Sequence, residues 1–509
     1  MPPLLERRVR SACIGDTMNI KRTVVLLLIV FTAAFYAETE GLVSADPGII
    51  YENDLIKVSF DAEGAKITGY IIKGYKNKDK EEYDLIPENT SIYPPELSAI
   101  AGIDPNAIKY SHSKEADRII FTSIVDGIVI SKVFEFTPGT YFMTLTVNAR
   151  NDSSAPLGLN SFEIQWGPEI SSKEISASMK KRYVSEIMFD GKKAKMNILG
   201  KRPSVRISDF KWFGYNSLYF AVVALKSEEN ISGEFFKAAV NRQVWFATRF
   251  PDFSVAPGEE RSHSLKFFIG PKDSGILKAH DEEGLGLVRL INMGMFGFLT
   301  KFFIWLMKFL YGMIPNYGIA IIIITIILKL IFLPLSTSSI VSMKRMAELQ
   351  PELQKLQKMY KENPQKMNEE TMKLYKTFKV NPLSGCLPLL IQLPFFWGIY
   401  SAFSVSIELR GAPFFWWISD LSAPDTVFYI WKIPVNILPI LMGVAMFLQQ
   451  ELQGTQHSQN QQTKYMKYLP FLFLIFFWNL PSGLVLYWLL NNVLTIIHTV
   501  LLNRKNENR

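Results

Sequence analysis

The chain has 509 residues, 48% of them hydrophobic and 20% charged, with a net charge of +8. The low charged share, and the concentration of apolar runs after residue 285, exclude a simple soluble enzyme and a disordered chain. Two cysteines, Cys13 and Cys386, exclude a disulfide scaffold, and five scattered histidines have no metal-ligand spacing. What remains is an integral membrane protein with a sizeable polar domain. No glycine-rich phosphate loop is present, so no cofactor or nucleotide is expected. The basic residues flank hydrophobic segments, which suits membrane lipid and gives no reason to expect nucleic acid.

The N-terminal tail, residues 1–22, carries Arg7, Arg8, Arg10, Lys21 and Arg22. Met18 opens a segment with the form of a natural start. The apolar run 23–37 has two readings. It is either a cleaved signal peptide, with Val43-Ser44-Ala45 as the cleavage point, or an uncleaved signal anchor. It is short for a span, which needs roughly 20 residues. Either way the basic residues hold the tail inside and send the chain after the run outside.

Residues 48–282 read as a polar, strand-rich domain. Ile56, Val58 and Phe60 alternate with polar residues up to an Asp61–Gly64 turn. Arg118–Val125, Asp126-Gly127 and Ile128–Phe136 have the form of a hairpin with a two-residue turn. Tyr141, Met143, Leu145 and Val147 repeat the period of two. The pattern predicts an antiparallel β-sandwich serving as scaffold or docking domain, since no carboxylate pair or histidine cluster marks an enzyme.

Residues 285–314 predict a long amphipathic helix interrupted by Arg289, Asn292, Lys301 and Lys308. If it crossed the membrane, the lysine-rich loop after it would face outward, against the positive-inside rule. An interfacial helix on the outer leaflet is expected instead. Five spans come next, at 317–335, 382–403, 434–448, 468–480 and 484–502. Between the first two lies a basic cytoplasmic hairpin, 339–380, in which Met346, Leu349, Leu353, Leu356 and Tyr360, then Met367, Thr371, Leu374 and Phe378, form an apolar seam. The loop 404–433 is outside, with Phe414 to Trp417 as interfacial anchors. The loop 449–467 and the tail 503–509 are inside. With the signal anchor there are six spans and both termini are cytoplasmic.

An ionisable residue inside a span is a functional signal, because a lysine there costs about 2.5–3.5 kcal/mol. Lys329 lies about 12 residues, roughly 18 Å, from the outer end of its span. Snorkelling covers only part of the distance to the inner end. Thr325 lies on the same helical face. Gln392, Asn491 and Asn492 are further polar groups at membrane depth, and with Lys329 they predict a polar groove. The 468–480 span offers roughly 20 Å of helix against a hydrocarbon core of about 30 Å, which would thin the bilayer locally.

Several stretches carry a resemblance: the run Asn381–Pro394 (NPLSGCLPLLIQLP), Ile407–Pro413 (IELRGAP), Leu438–Val444 (LPILMGV), Phe477–Tyr487 (FWNLPSGLVLY) and Leu349–Gln354 (LQPELQ). Together they resemble the YidC/Oxa/Alb family of membrane insertases, over residues 285–502. The outside domain resembles that of the Gram-negative type by placement and strand pattern. The resemblance implies an uncleaved first span and a five-helix insertase core, with a groove open to cytoplasm and lipid but closed outside. It implies nascent membrane proteins as substrates, the Sec translocon (SecYEG and SecDF) as partner, and an inner-membrane location. Ribosome and signal recognition particle receptor are the expected contacts of the cytoplasmic hairpin. It places a positive residue, usually arginine, at Lys329, and substrate-helix contacts near Tyr487 and Trp488. Lysine is a departure that keeps the charge and loses the bidentate fork.

Two other classes are weighed against this. A solute transporter with an external β-domain would call for an inverted repeat of broken helices, which is not evident. An intramembrane hydrolase or acyltransferase would call for a nucleophile–base or paired-carboxylate pattern within the spans, and none is found.

Overall fold

The computed structural model describes residues 48–507 apart from 77–81, 87–92, 101, 160–161, 168–184, 228–229, 238–243, 282–283, 379–386, 432 and 453–468. The tail 1–22, the apolar run 23–37, both cysteines and most of the loop 449–467 lie outside the described residues.

The first half is built from antiparallel strands. In Ile56–Asp61 the alternating residues Ile56, Val58 and Phe60 are buried, and strand Lys66–Lys76 pairs with it. The Arg118–Val125 and Ile128–Phe136 strands pair with Arg118 opposite Glu135 and Val125 opposite Ile128. Both turn residues, Asp126 and Gly127, take positive φ, 53° and 76°. That backbone matches the twist of the flanking strands, and an Asp-Gly pair adopts it readily. Tyr141, Met143, Leu145 and Val147 all point inward, as the period of two requires.

Nine strands form the largest sheet, in which the 118–125, 128–136, 142–151 and 260–271 strands are successive neighbours. Beside it lie a five-stranded sheet (204–207, 232–237, 244–249, 163–166, 96–97), a four-stranded sheet (49–52, 56–61, 66–76, 82–84) and a small two-stranded pair (157–159, 253–255). The three larger sheets share one apolar core, with Phe134, Phe235 and Tyr70 among its fully buried members.

Two lysines are sealed inside this β-rich part. Lys132 Nζ donates to Gly64 O at 2.5 Å, and Lys272 Nζ reaches Leu290 O at 3.5 Å. Burial pushes both down from the usual 10.5 to about 7. The unfolded chain therefore binds more protons than the folded one between those values, so stability rises with pH across that window and is lost as pH falls toward 7. Each lysine contributes a slope of at most about 1.4 kcal/mol per pH unit. Urea unfolding of the β-rich part at pH 7.5 and 9.5 should show this rise, and Lys132→Met should remove about half of it. A slope unchanged in the variant would show that Lys132 is not the group responsible.

After the strands, a short helix α1 (Ser274–Ala279) is capped by Asp273, whose carboxylate accepts from Gly275 and Ile276 N–H. The long amphipathic helix expected from residue 285 is shorter. A 3₁₀ turn at Leu287–Leu290 comes first, and α2 spans Gly297–Met313. Gly286 and Gly294 take φ of 70° and 68°, which an α-helix cannot include, and Asn292 accepts from Gly294 N–H. Helix α2 buries Leu299, Phe303, Met307 and Leu310 and exposes Phe298, Phe302, Trp305 and Phe309.

The expected 317–335 span is a bent pair. Helix α3 (Tyr317–Ile331) and helix α4 (Leu333–Glu348) meet at 61°. Pro334 has no N–H to continue the α3 ladder, so it starts the next helix instead. The expected cytoplasmic hairpin comes in pieces. A break at Leu349 precedes α5 (Gln350–Met359), and Asn363 caps α6 (Pro364–Thr377). Leu349 and Leu353 are buried and Leu356, Tyr360, Met367, Thr371 and Leu374 half-buried, whereas Phe378 is exposed.

Helix α7 covers Leu387–Val405. The expected 434–448 span begins later, at Ile437, because Pro434 belongs to a β-hairpin of strands Thr426–Ile430 and Ile433–Asn436. Helix α8 is then Ile437–Leu452, and α9 is Leu469–Phe477, ending where Trp478–Leu480 turns. Helix α10 runs Ser482–Glu507, so most of the expected tail 503–509 continues the last helix. Among the described residues, Ser482–Arg504 is long and apolar enough to cross a membrane alone, as is the bent α3–α4 pair taken together. Leu390–Val405 and Ile437–Leu452 are shorter apolar helices.

Candidate functional site

Helices α3, α4, α7, α8, α9 and α10 surround a cavity of about 280 Å³. Every residue singled out in the sequence lies on its wall: Thr325, Lys329, Gln392, Tyr487, Trp488, Asn491 and Asn492. The reason is helical spacing. Thr325 and Lys329 are one turn apart on α3, and Tyr487, Trp488, Asn491 and Asn492 fall on adjoining turns of α10.

Lys329 Nζ donates to Thr495 Oγ1 at 2.7 Å. Thr495 in turn donates to Asn491 O at 2.6 Å, and Thr325 donates to Ile321 O at 2.7 Å. Gln392 Nε2 approaches the Tyr487 hydroxyl at 3.4 Å. Among the described residues, no carboxylate faces Lys329 on this wall. The buried Trp488 Nε1 and Asn492 Nδ2 have no hydrogen-bond partner among the described residues. Such donors are costly to leave unmet, so the cavity is suited to polar contents.

Thr495 was not marked by sequence reasoning. Nor were Ser336 and Ser339 of α4, which also line the cavity, or the Thr337–His498 pair at 3.1 Å. Thr495 lies one turn beyond Asn491, so extending the polar stripe of α10 by helical spacing would have found it.

One side of the cavity is aromatic. Trp488 packs against Phe396 of α7 at 5.0 Å and against Phe477 and Phe473 of α9 at 5.2 and 5.9 Å. Beyond this seam both helices turn apolar side chains outward: Leu390, Ile391 and Trp397 on α7, Leu472, Ile475 and Phe476 on α9.

The first turns of α3 and α10 pack against the 407–425 loop. Ser482 and Gly483 N–H donate to Ala423 O and Leu421 O at 2.8 and 2.9 Å, so the start of α10 is stitched to the 407–425 loop. Phe414 lies so close to Gly318 that a Cβ there would sit 1.9 Å from its ring. Gly318 thus has a packing reason, which the sequence alone did not show. Phe414 therefore packs against the first turn of α3, and Trp417 Nε1 donates to Asp425 Oδ2 at 3.0 Å. Phe415 and Trp416 remain exposed.

Among the described residues, no three His, Cys, Asp or Glu side chains converge to hold a metal.

Residues 49–306 match the YidC periplasmic domain family, and residues 309–509 match the family described as 60Kd inner membrane protein. A membrane protein insertase YidC from Geobacter sulfurreducens is 35% identical over 88% of this chain and 84% of its own. Another, from Geotalea daltonii, is 33% identical over 99% of this chain and 95% of its own. Among solved structures, an active YidC insertase with its first transmembrane domain resolved is 19% identical, covering 89% of this chain and 92% of that one with a TM-score of 0.38.

Proposed function

The chain belongs to the YidC family of membrane protein insertases, and on that premise we propose how its own residues carry out insertion. As a member of this family it is a membrane insertase with a β-rich periplasmic domain and a helical insertase region, and it is not an enzyme. Its substrates are nascent membrane proteins and its place is the inner membrane.

The finer reading is ours. Six spans, counting an uncleaved signal anchor, put both termini in the cytoplasm, and the β-rich part is a sandwich outside. Helices α3 with α4, α7, α8, α9 and α10 are the five-helix core. The cavity around Lys329 opens toward the cytoplasm and lipid, and the 407–425 loop closes its outer end. The cytoplasmic hairpin α5–α6 receives the nascent chain or its targeting machinery, the ribosome and signal recognition particle receptor among it. Work beside the Sec translocon is part of the same reading.

In this mechanism Lys329 attracts the acidic or polar segment that must cross. Thr325, Gln392, Asn491 and Asn492 offer that segment hydrogen bonds that lipid would not. Its apolar helix moves past Tyr487 and Trp488 and leaves between α7 and α9. The short α9 thins the bilayer beside that exit. Hydrophobic transfer contributes about 0.8 kcal/mol per buried methylene. The membrane potential adds about 2.3 kcal/mol per 100 mV for each negative charge moved outward.

The observation that carries this reading is the juxtaposition of the Lys329 cation, the polar side chains beside it on the cavity wall and two outward apolar faces. Purified protein in liposomes, supplied with a newly made small membrane protein, should yield a protease-protected fragment. The yield should scale with reconstituted protein. Protection no greater than in empty liposomes, with a client that competent vesicles do insert, would overturn autonomous insertion by the groove.

A further inference from the structure

The segment Thr426–Asn436, within the expected outside loop and the start of the next span, folds as a ribbon with no core face. Phe428 stands opposite Val435, Tyr429 opposite Pro434, and Ile430 opposite Ile433. Successive strand residues point to opposite faces. Yet Phe428, Tyr429 and Ile430 are 51%, 69% and 51% exposed, and Trp431 beyond them is 94% exposed. A two-stranded hairpin is marginal in water, and one with apolar side chains on both faces invites aggregation.

The base of the ribbon is nonetheless fixed. Asn436 Nδ2 donates to Trp478 O, and Trp478 Nε1 donates to Pro434 O at 3.0 Å. Asp425 Oδ2 accepts from Leu438 N at 2.7 Å and so caps α8. The ribbon is thereby tied to the end of α9 and to the first turn of α8. Its exposed apolar surface runs on into that of α8, where Ile440, Leu441, Val444 and Leu448 face outward.

We propose that this hairpin is a lipid anchor, lying in the headgroup–acyl boundary of the outer leaflet beside the outer end of α9. A protein partner would cover one face of a ribbon. Here both faces are apolar, and a fluid apolar medium covers both at once. Tyr and Trp favour that boundary. The segment has no acidic residue and one basic one, Lys432, which suits anionic headgroups. Its position fixes the depth of the short α9 relative to the outer leaflet. The proposal rests on reading α8 and α9 as membrane helices.

The test uses the full chain with Cys13 and Cys386 replaced by serine, in vesicles of phosphatidylethanolamine and phosphatidylglycerol. A polarity-sensitive fluorophore is placed on Trp431→Cys, and on Tyr429→Cys as a second position. Val444→Cys on α8 reports the membrane helix, and Ile124→Cys in the β-rich part reports water. Emission at 431 and 429 should shift to the blue and be quenched more by lipids with a nitroxide near the headgroup than by those with one at the chain end. Quenching at 444 with none at 431 and 429 would overturn the anchor and leave the membrane reading intact. Quenching at none of the three would overturn both. Shielding at 431 that appears only with rising protein density would overturn lipid as the occupant, in favour of a second copy.

Discussion

Lys329→Gln should lower the initial rate of insertion of a client with an acidic translocated tail by about tenfold, equivalent to about 1.4 kcal/mol. The same client with its tail neutralised should be affected far less. The reasoning is electrostatic. Two unit charges 4 Å apart attract by about 4 kcal/mol at an effective dielectric of 20, and the attraction shrinks with distance and with water in the cavity. A net gain of a third of that is a modest demand. Lys329 meets no carboxylate among the described residues of the cavity wall, and its partner there is the neutral Thr495 at 2.7 Å. Its charge is therefore available to a client rather than spent within the protein. Lys329→Arg should retain most of the activity, since charge and reach survive, and Lys329→Glu should be worse than Gln for acidic tails. Thr495→Val separates charge from placement: the cation stays and loses its positioning hydroxyl, so the acidic client should slow by less than with Lys329→Gln and the neutral client hardly at all. The measurement is the protease-protected yield at early times for paired clients. Equal rates for Lys329→Gln and the parent on the acidic client would sink the charge role.

Such a residue was legible because membranes make it expensive. A lysine inside an apolar run stands out by cost alone, and Gln392, Asn491 and Asn492 stand out in the same way. Thr495 did not, because a hydroxyl that donates to the carbonyl one turn back is at home in any apolar helix. The Arg118–Phe136 hairpin was legible for a local reason too: its period of two and its Asp126-Gly127 turn both lie within one short stretch. The Thr426–Asn436 hairpin was not, since alternation vanishes when both faces are apolar, and the segment then reads as the end of a loop and the first residues of a span. The break before α2 hid because Arg289 and Asn292 read as interruptions of one long helix, although Gly286 and Gly294 both mark it. Least legible were pairings between distant elements. Lys308 looked like an interruption of an amphipathic helix, and nothing near it in the sequence names its partners.

Those partners give the second large effect. Lys308 Nζ lies 2.9 Å from Asp273 Oδ2, at the cap of α1, and 2.6 Å from Glu408 Oε1, in the loop after α7. One cation on α2 thus ties the end of the β-rich part to the helical core. Arg410, two residues on, stacks over the rings of Tyr83 and Phe220 at 4.4 and 5.5 Å. Burial pushes the Glu408 carboxyl up despite Lys308. Burial acts the same way on Asp273, but hydrogen bonds from Lys308 and Ile276 N–H outweigh it and hold that carboxyl down. Lys308→Met should cost about 2–4 kcal/mol of the junction between the two parts, the lower side of the range for orphaning a buried partner, because Lys308 is itself partly exposed. The pH dependence of the Asp273 contribution then reverses, and that of Glu408 grows. In the parent, Asp273 contributes stability above its unfolded value that is lost as pH falls through its depressed folded value. In the variant, both carboxyls lack their cation and their folded values rise. Stability is then lost as pH rises through the unfolded values, so acidification from pH 7 to about 5 should restore the junction. Limited proteolysis between residues 271 and 297 across this pH range, together with the melting temperature, reads both effects. Adding Glu408→Gln and Asp273→Asn to Lys308→Met should recover much of the loss, since asparagine still caps α1 and no orphaned charge remains. A Lys308→Met chain that melts and resists protease as the parent does, with no rescue by acid, would show that this cation does not hold the two parts together.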